Sequence, residues 1–162
     1  MMLPTVIDGT NDLTSVSPPL AALIQFYAGF NGRDVKRSMQ AWAQDDSVSM
    51  CNPIGGIRRG YQAIDEGYQL IMQGKTRVYV EFYDYQFIEC GEVFYAVGRE
   101  RGYAEKLLSD GQQSRIELAI RTSRVFRKNA ANWRQVHHHG SLDDPALLKR
   151  YQDFIRGSLQ VD

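Results

Sequence analysis

The sequence has few cysteines and no long apolar segment, and both absences narrow the classes of protein to which it can belong. Its two cysteines, Cys51 and Cys90, form no CxxC or Cys/His spacing, so neither a disulfide framework nor a zinc site is expected. No window approaches the roughly 18 apolar residues of a membrane span. Residues 1–16 lack the basic and apolar regions of a signal peptide. The sequence therefore predicts a soluble, cytoplasmic protein without a membrane partner.

Excess charge of one sign and the common catalytic motifs are also missing. The 19 Lys and Arg residues balance the 19 Asp and Glu residues, so the chain has no general attraction to nucleic acid. There is no G-x-S-x-G motif, no P-loop and no dinucleotide fingerprint after a strand. Hydrolase, nucleotide-phosphate and Rossmann functions therefore lose support. We expect neither a nucleic-acid partner nor a cofactor.

The first half of the chain has apolar residues at helical spacing in three segments. At 162 residues it is long enough for one domain that buries roughly 70% of the surface of its unfolded form. The first helix follows Ser17-Pro18 and stops at Asn31-Gly32, the second is capped by Asp34 and ends before Asp45, and the third runs from Tyr61 to Gly74. Capping residues, an N-terminal proline and C-terminal glycines support these bounds.

Beyond the third helix the apolar period changes to two, which is typical of strands. The four predicted strands are Val78–Cys90, Val93–Lys106, Ser114–Lys128 and Trp133–Leu142. Short turns join them, the last at 129–132, so they form an antiparallel run that the early helices can cover. A helical stripe after Pro145 predicts a C-terminal helix. We divide the chain into an arm at 1–16, a domain at 17–142 and a helical extension at 143–162.

Several short motifs follow one another in the order of a known superfamily. They are Phe30-Asn-Gly-Arg-Asp34, the passage Asp45–Gly56, Gly60-Tyr-Gln-Ala-Ile64, Thr122–Phe126 and Trp133–Ser141. Together they resemble the SnoaL-like, or nuclear transport factor 2-like, superfamily over residues 18–142. The closing hairpin is most similar to the association (hub) domain of calcium/calmodulin-dependent kinase II and its bacterial stand-alone relatives.

The resemblance implies an α+β fold in which a cone-shaped, strongly curved antiparallel sheet is covered by three N-terminal helices, with a C-terminal helix added. It says little about reaction, because this scaffold hosts isomerases, dehydratases, cyclases, transport factors and assembly domains.

Alternation along the third long strand predicts which of its side chains face the core. Ile116, Leu118, Ile120, Thr122, Arg124 and Phe126 share one face, and that face is mostly apolar. An arginine there is costly unless it is paired or binds an anion. By resemblance, Arg124 and Arg99 match pocket arginines of the hub domain, whose third pocket arginine falls at Gly140. The alternative is that both are structural and pair with Glu100, Glu117 or an acid of an early helix.

The triplet His137-His138-His139 invites a metal-binding interpretation that its geometry does not favour. In a strand, His137 and His139 project to one side and His138 to the other. The chain has no other histidine, so we predict no metal site. His138 is expected to face the cavity, where its ordinary pKa would suit acid–base chemistry. The alternative is a histidine that is merely hydrogen-bonded within the wall.

Asp46 is the candidate base. In catalytic members of the resembled superfamily, a carboxylate at the cavity mouth removes a proton next to a carbonyl, and a facing acid stabilises the oxyanion. Here His138, Tyr95 or Tyr27 could be that partner. Asp46 has a second possible role as an acceptor of backbone N–H groups in its turn. Asn52 at the rim and Trp42 in the wall complete the predicted ligand-binding set, with Arg124, Arg99 and Tyr27.

The sequence and the resemblance together suggest two alternative functions. The first is a small-molecule pocket for a partly apolar ligand with an anionic or carbonyl group, with cofactor-independent isomerase, dehydratase or cyclase chemistry if it is an enzyme. The second is a non-catalytic dimerisation, assembly or ligand-sensing module that uses the outer face of the sheet. An outer face rich in Tyr83, Tyr85, Phe87 and Phe94 would favour the second. A homodimer is expected in either case.

Overall fold

Helices and one long sheet account for most of the chain. The structure, a computed structural model, describes residues 3–130 and 132–159. The helices are α1 (Pro18–Asn31), α2 (Val35–Gln40), α3 (Tyr61–Gln73) and α4 (Pro145–Leu159). The strands are β1 (Val6–Ile7), β2 (Ser49–Cys51), β3 (Arg58–Arg59), β4 (Arg77–Cys90), β5 (Val93–Leu107), β6 (Gln113–Asn129) and β7 (Asn132–Leu142). Residue 131 of the predicted hairpin turn and residues 1, 2 and 160–162 of the predicted terminal segments lie outside the described residues.

The strands form one sheet in the order β1-β4-β5-β6-β7-β2-β3. All neighbouring pairs are antiparallel except β2 and β7, which run parallel. The sheet is curled and does not close into a barrel. Helices cover its concave face, so the predicted α+β fold with a strongly curved sheet is confirmed. No helix within residues 3–130 and 132–159 is long and apolar enough to cross a membrane.

The helix ends follow the capping signals. Asp34 accepts a hydrogen bond from the Arg37 N–H at 2.9 Å and begins α2, as an N-cap does. The Asn31 side chain donates to the Val80 carbonyl oxygen at 2.9 Å and ties the end of α1 to the sheet. The second helix was predicted to end before Asp45, and α2 ends at Gln40. Trp42 instead forms an isolated parallel bridge with Gln135 of β7.

Irregularities in two strands change which side chains face the core. In β4 the register shifts between Tyr83 and Gln86, where Asp84 adopts a left-handed φ of 47°. Such a bulge moves later side chains to the other face. Tyr85 and Phe87 therefore pack against the core. In β6 and β7 the register shifts again next to Val125.

The structure does not show the aromatic outer face that would favour the assembly function. Phe94 is fully buried, and Tyr85 and Phe87 lie on the same inner side. Tyr83 keeps an outward position, where the Arg101 guanidinium lies 4.6 Å from the centre of its ring. The outer face consequently lacks the four-residue aromatic cluster that the sequence suggested.

The C-terminal helix α4 packs over the loop that follows β2. Its apolar side chains Tyr151, Phe154 and Ile155 are buried. The Gln152 side chain donates to the Ile54 carbonyl oxygen at 2.8 Å. The Lys106 ammonium of β5 donates to the Phe154 carbonyl oxygen, also at 2.8 Å. Apolar burial and two side-chain hydrogen bonds therefore hold α4 in place.

Candidate functional site

A buried ion pair lies on the concave face of the sheet. The Arg124 Nη2 atom is 2.9 Å from the Glu100 Oε1 atom, and the two side chains are only 3% and 4% exposed. Arg124 comes from β6 and Glu100 from β5. Both point inward, since strand alternation places them on the same face as their apolar neighbours. The two charges cancel in an environment where either charge alone would be costly.

The remaining nitrogen atoms of Arg124 also have partners. Its Nε donates to the Tyr27 hydroxyl at 3.1 Å, and its Nη1 donates to the Gln135 Oε1 at 3.1 Å. The guanidinium lies 3.9 Å from the centre of the Phe26 ring, a cation–π contact. The Tyr27 hydroxyl donates in turn to Glu100 Oε1 at 2.6 Å. Arg124 is therefore the centre of a polar network that links α1, β5, β6 and β7.

Burial and these neighbours set the protonation states. Burial lowers the pKa of Arg124, but the nearby Tyr27, Glu100 and Tyr68 outweigh it and raise the pKa above its ordinary value. Burial raises the pKa of Tyr27 well above its ordinary value, although Arg124 opposes this. Burial likewise raises the pKa of Tyr68 to about 12. Arg124 is consequently charged and both tyrosines are neutral at physiological pH.

A small cavity adjoins this network beneath α4. Its volume is about 50 Å³, which holds a few water molecules at most, since a cavity of about 150 Å³ is needed to take benzene. Glu100, Arg124, His138 and Asn52 give it polar positions, and Tyr151 of α4 covers it. The apolar lining consists of Phe26, Phe30, Pro53, Ile54, Tyr68, Ile71, Val78, Val80 and Ile120.

A second pocket of about 190 Å³ lies on the other side of the loop that follows β2. The two spaces share Asn52, Ile54 and Ile71 in their linings. Gly55 and Gly56 in this loop have φ values of +111° and +80°, which glycine adopts without strain. The two spaces therefore lie next to each other, on either side of these shared residues.

His138 is the buried histidine of the triplet. It is 5% exposed, lines the cavity and has its Nε2 atom 3.1 Å from the Thr122 Oγ1. Its Nδ1 has no hydrogen-bond partner within the described part of the chain. Burial lowers the pKa of His138 well below its ordinary value, and the positive charge of Arg124 lowers it further. The ring is therefore neutral.

The structure brings several of the predicted site residues together. Tyr27 and Arg124 belong to the polar network, and His138 lines the cavity beside it. Asn52 lies at the rim, where its Oδ1 accepts from the Ile54 N–H at 3.0 Å. Trp42 is fully buried and belongs to the core rather than to the cavity lining.

Arg99 and Tyr95 lie on the outer face of the sheet, which corrects their predicted place at the pocket. The Arg99 side chain is 48% exposed and forms ion pairs with Asp143 at 3.0 Å and Asp84 at 3.3 Å. Alternation in β5 turns Glu100 inward and its neighbour Arg99 outward. Tyr95 faces outward for the same reason, because the preceding Phe94 is fully buried.

The structure also places Asp46 away from the cavity. Asp46 is exposed in the segment before β2, so the predicted base does not meet His138, Tyr27 or Tyr95. The role of turn acceptor belongs to Asp45, whose Oδ1 accepts from the Ser47 N–H at 2.9 Å. Hydrogen bonds from the Ser47 hydroxyl and backbone lower the pKa of Asp45.

Gly140 occupies the position at which the resemblance places the third pocket arginine. A Cβ atom there would lie 3.1 Å from Pro53 Cγ and 3.2 Å from His138 Nε2. A side chain at this position would therefore require these neighbours to move by a few tenths of an ångström. Residues 3–130 and 132–159 also contain no group of three His, Cys, Asp or Glu side chains that could hold a metal ion.

Among the site residues absent from the sequence prediction are Gln135 and Tyr151. Gln135 binds Arg124, but the register shift in β7 hides its inward direction from simple alternation. Tyr151 covers the cavity from α4, and its only signal was the apolar stripe of the C-terminal helix. Glu100 had been named as one possible partner of Arg124, and the ion pair is present.

Comparison with known proteins gives the family. The profile of a family described as a SnoaL-like domain matches residues 20–145, and no curated protein sequence matches the chain significantly. A structure from Thiobacillus denitrificans named as a calcium/calmodulin-dependent protein kinase type II association domain is 26% identical, with 78% of this chain and 95% of that chain covered and a TM-score of 0.60.

Two further structures share the fold at lower identity. A nuclear transport factor 2-like superfamily protein from Salmonella enterica is 22% identical over 76% of this chain and 87% of its own, with a TM-score of 0.61. A ketosteroid isomerase-like protein from Erwinia carotovora atroseptica is 16% identical over 83% of this chain and 100% of its own, with a TM-score of 0.63. The chain belongs to the SnoaL-like domain family, and it shares its fold with the nuclear transport factor 2-like protein from Salmonella enterica.

Proposed function

We propose that this SnoaL-like protein binds a small, partly apolar molecule with one polar group in the cavity beneath α4. The observation that carries this proposal is the buried Arg124–Glu100 ion pair beside an apolar cavity. Well-packed apolar residues are often at least as stabilising as a buried ion pair, and apolar cavities with a few convergent polar groups are typical ligand sites. This combination supports binding more than a purely structural role.

The geometry favours a neutral polar group, such as a carbonyl, over an anion. All three nitrogen atoms of Arg124 have partners, and Glu100 balances its charge. A carboxylate in the cavity would therefore be a third buried charge without an available cation beside it. Of the two groups predicted from sequence, the carbonyl is the one we retain.

Binding of a ring-sized molecule requires α4 or the loop after β2 to move. The closed cavity of about 50 Å³ is far below the roughly 300 Å³ at which common ligand pockets begin. Joining it to the neighbouring space of about 190 Å³ brings the volume toward that range. We therefore place the entry route between α4 and the Asn52–Ile54 loop.

A thermal-shift measurement with cyclohexanone, cyclohexanol and cyclohexanecarboxylate tests this proposal. A ligand that binds only the folded state raises the melting temperature, and we expect cyclohexanone to do so and the carboxylate to have no effect. Ile120 lines the cavity, so Ile120→Phe should remove the shift. Leu118, also 3% exposed on the same face of β6 but outside the cavity lining, provides the control Leu118→Phe. An unchanged shift in Ile120→Phe, or none in the wild type, would contradict the proposal.

If the bound molecule is turned over, we assign the reaction to cofactor-independent proton transfer of the isomerase, dehydratase or cyclase type. Asp46 lies outside the cavity, so neutral His138 is the candidate proton acceptor. Hydrogen–deuterium exchange of cyclohexanone, followed by NMR, tests this assignment. We expect exchange above the buffer rate in the wild type and in His139→Phe, but not in His138→Phe. Exchange that persists in His138→Phe would exclude this role.

A second candidate function is dimerisation through the outer face of the sheet. Ile88, Tyr95 and Val125 stand in register across β4, β5 and β6, and Val97 beside them is 45% exposed. Apolar side chains aligned across a sheet are typical of an interface. The relative from Thiobacillus denitrificans is named as an association domain, which adds to this support.

A further inference from the structure

We infer that His138 accepts a hydrogen bond from a hydroxyl group of the bound molecule, through a ring Nδ1 that has no proton. This inference rests on the proposed function of the cavity and narrows the neutral polar group of the ligand to a hydroxyl group: that of an alcohol, of a phenol or of the enol form of a carbonyl compound. Nothing in the family assignment requires it, because the same scaffold serves many unrelated ligands.

The proton of the His138 ring can be located from its neighbour Thr122. The Thr122 hydroxyl has one hydrogen, and it donates that hydrogen to the His139 carbonyl oxygen at 3.1 Å. The contact of 3.1 Å between His138 Nε2 and Thr122 Oγ1 must then have the imidazole as donor. A neutral imidazole has one N–H, so the proton is on Nε2 and Nδ1 is a bare acceptor.

The surroundings keep the ring in this neutral form. Arg124 stands directly opposite His138 in the register of β6 and β7, and a second buried cation beside it would be repelled. The neighbouring His137 and His139 oppose protonation in the same way, and burial opposes it most strongly. Glu100 also lines the cavity, but its carboxylate is already paired with Arg124. The Nδ1 atom of His138 therefore stays unprotonated at neutral pH and can accept a hydrogen bond.

The unprotonated Nδ1 atom of His138 is buried and has no hydrogen-bond partner within the described residues. His138 is 5% exposed and lines the cavity, and its Nδ1 has no hydrogen-bond donor within residues 3–130 and 132–159. A buried acceptor without a donor is unfavourable. A hydroxyl group would supply the missing hydrogen, whereas a carboxylate or ether oxygen would bring only lone pairs against it. The cavity should therefore discriminate between a hydroxyl compound and its methyl ether.

The experiment has a part that needs no ligand. Long-range ¹H–¹⁵N NMR on the ¹⁵N-labelled full chain reports which ring nitrogen of each histidine is protonated. We expect His138 to show a protonated Nε2 and a bare Nδ1. We also expect Thr122→Ser, which keeps the hydroxyl, to preserve this tautomer. A protonated Nδ1 in the wild type would overturn the inference while leaving the proposed binding function untouched.

The second part compares cyclohexanol with methoxycyclohexane. Only cyclohexanol should move the Nδ1 resonance of His138, and it should bind about tenfold more tightly, the ratio expected for one hydrogen bond. His138→Phe should abolish that preference, whereas His139→Phe, on the outer face, should keep it. If the two compounds bind equally well to the wild type, the inference about His138 is overturned but the proposed function is not. Failure of both to bind would overturn the proposed function as well.

Discussion

The Arg124 guanidinium lies 2.9 Å from the Glu100 carboxylate, with both side chains almost completely buried. The pair holds together strands β5 and β6, and Tyr27 and Gln135 extend it to α1 and β7. Each nitrogen of Arg124 has a partner in this network, so the arginine organises the wall of the cavity that it also lines.

Removal of one partner of this pair should be far more damaging than removal of both. Arg124→Met leaves the Glu100 carboxylate buried without a cation, and we expect a loss of about 3–5 kcal/mol in the free energy of unfolding. The double variant Arg124→Met with Glu100→Leu leaves no unpaired charge and should regain most of that loss. Urea denaturation measures the free energy of unfolding of the single and the double variant. A double variant as unstable as the sum of the single variants would show that the two side chains do not act as a pair.

His138 should make stability depend on pH. Its pKa in the folded protein is well below the ordinary value of 6.5, so below about pH 6.5 the unfolded chain binds a proton that the folded protein does not. Stability is consequently greatest above that pH and falls as the pH decreases toward the folded-state pKa. In His138→Phe this decrease should be smaller, as urea denaturation from neutral to mildly acidic pH can show. An identical pH profile in the variant would mean that the pKa of His138 is the same in the folded and the unfolded chain.

Much of the fold could be predicted because local signals agree with tertiary packing. Pro18 and Asp34 mark helix starts that the structure retains. In β6, strict alternation placed Thr122 and Arg124 on the inner face, and both are buried. Such signals depend on one strand or one helix end, so they can be derived from the chain alone.

The remaining errors have two sources: local backbone geometry, which alternation cannot reveal, and the family resemblance. A left-handed residue at Asp84 turned Tyr85 and Phe87 inward. The inward residue of β5 is Glu100, so Arg99 faces solvent although the family resemblance had placed it at the pocket. Asp46 was considered as the acceptor of backbone N–H groups in its turn, but the carboxylate that accepts the Ser47 N–H belongs to the adjacent Asp45. Each error concerns a choice between adjacent residues, which point to opposite faces of a strand or play different roles in a turn.

The two hydrogen bonds that hold α4 can be removed without changing the cavity lining. Lys106→Met removes the donor to the Phe154 carbonyl oxygen, and Gln152→Ala removes the donor to the Ile54 carbonyl oxygen. In the double variant we expect faster amide hydrogen exchange in α4 and faster association of cyclohexanone, because α4 leaves its place more often.

A control variant is available on the same helix. Lys149 pairs with Asp153 at 2.8 Å on the exposed surface of α4, so Lys149→Ala should change neither rate, since such a pair contributes little. Faster hydrogen exchange of α4 without faster association would show that the entry route lies elsewhere.

Val97 offers the test of dimerisation. It is 45% exposed and lies in the register between Gln86 and Ser123 at the centre of the outer face. If two copies meet through this face, Val97→Glu buries two like charges close to the symmetry axis and should shift the protein to a monomer, as sedimentation velocity would show. Glu117→Gln, a change at an exposed residue near the other end of β6, should leave the mass unchanged. A wild-type protein that sediments as a monomer would exclude this interface and leave the cavity as the functional feature of the fold.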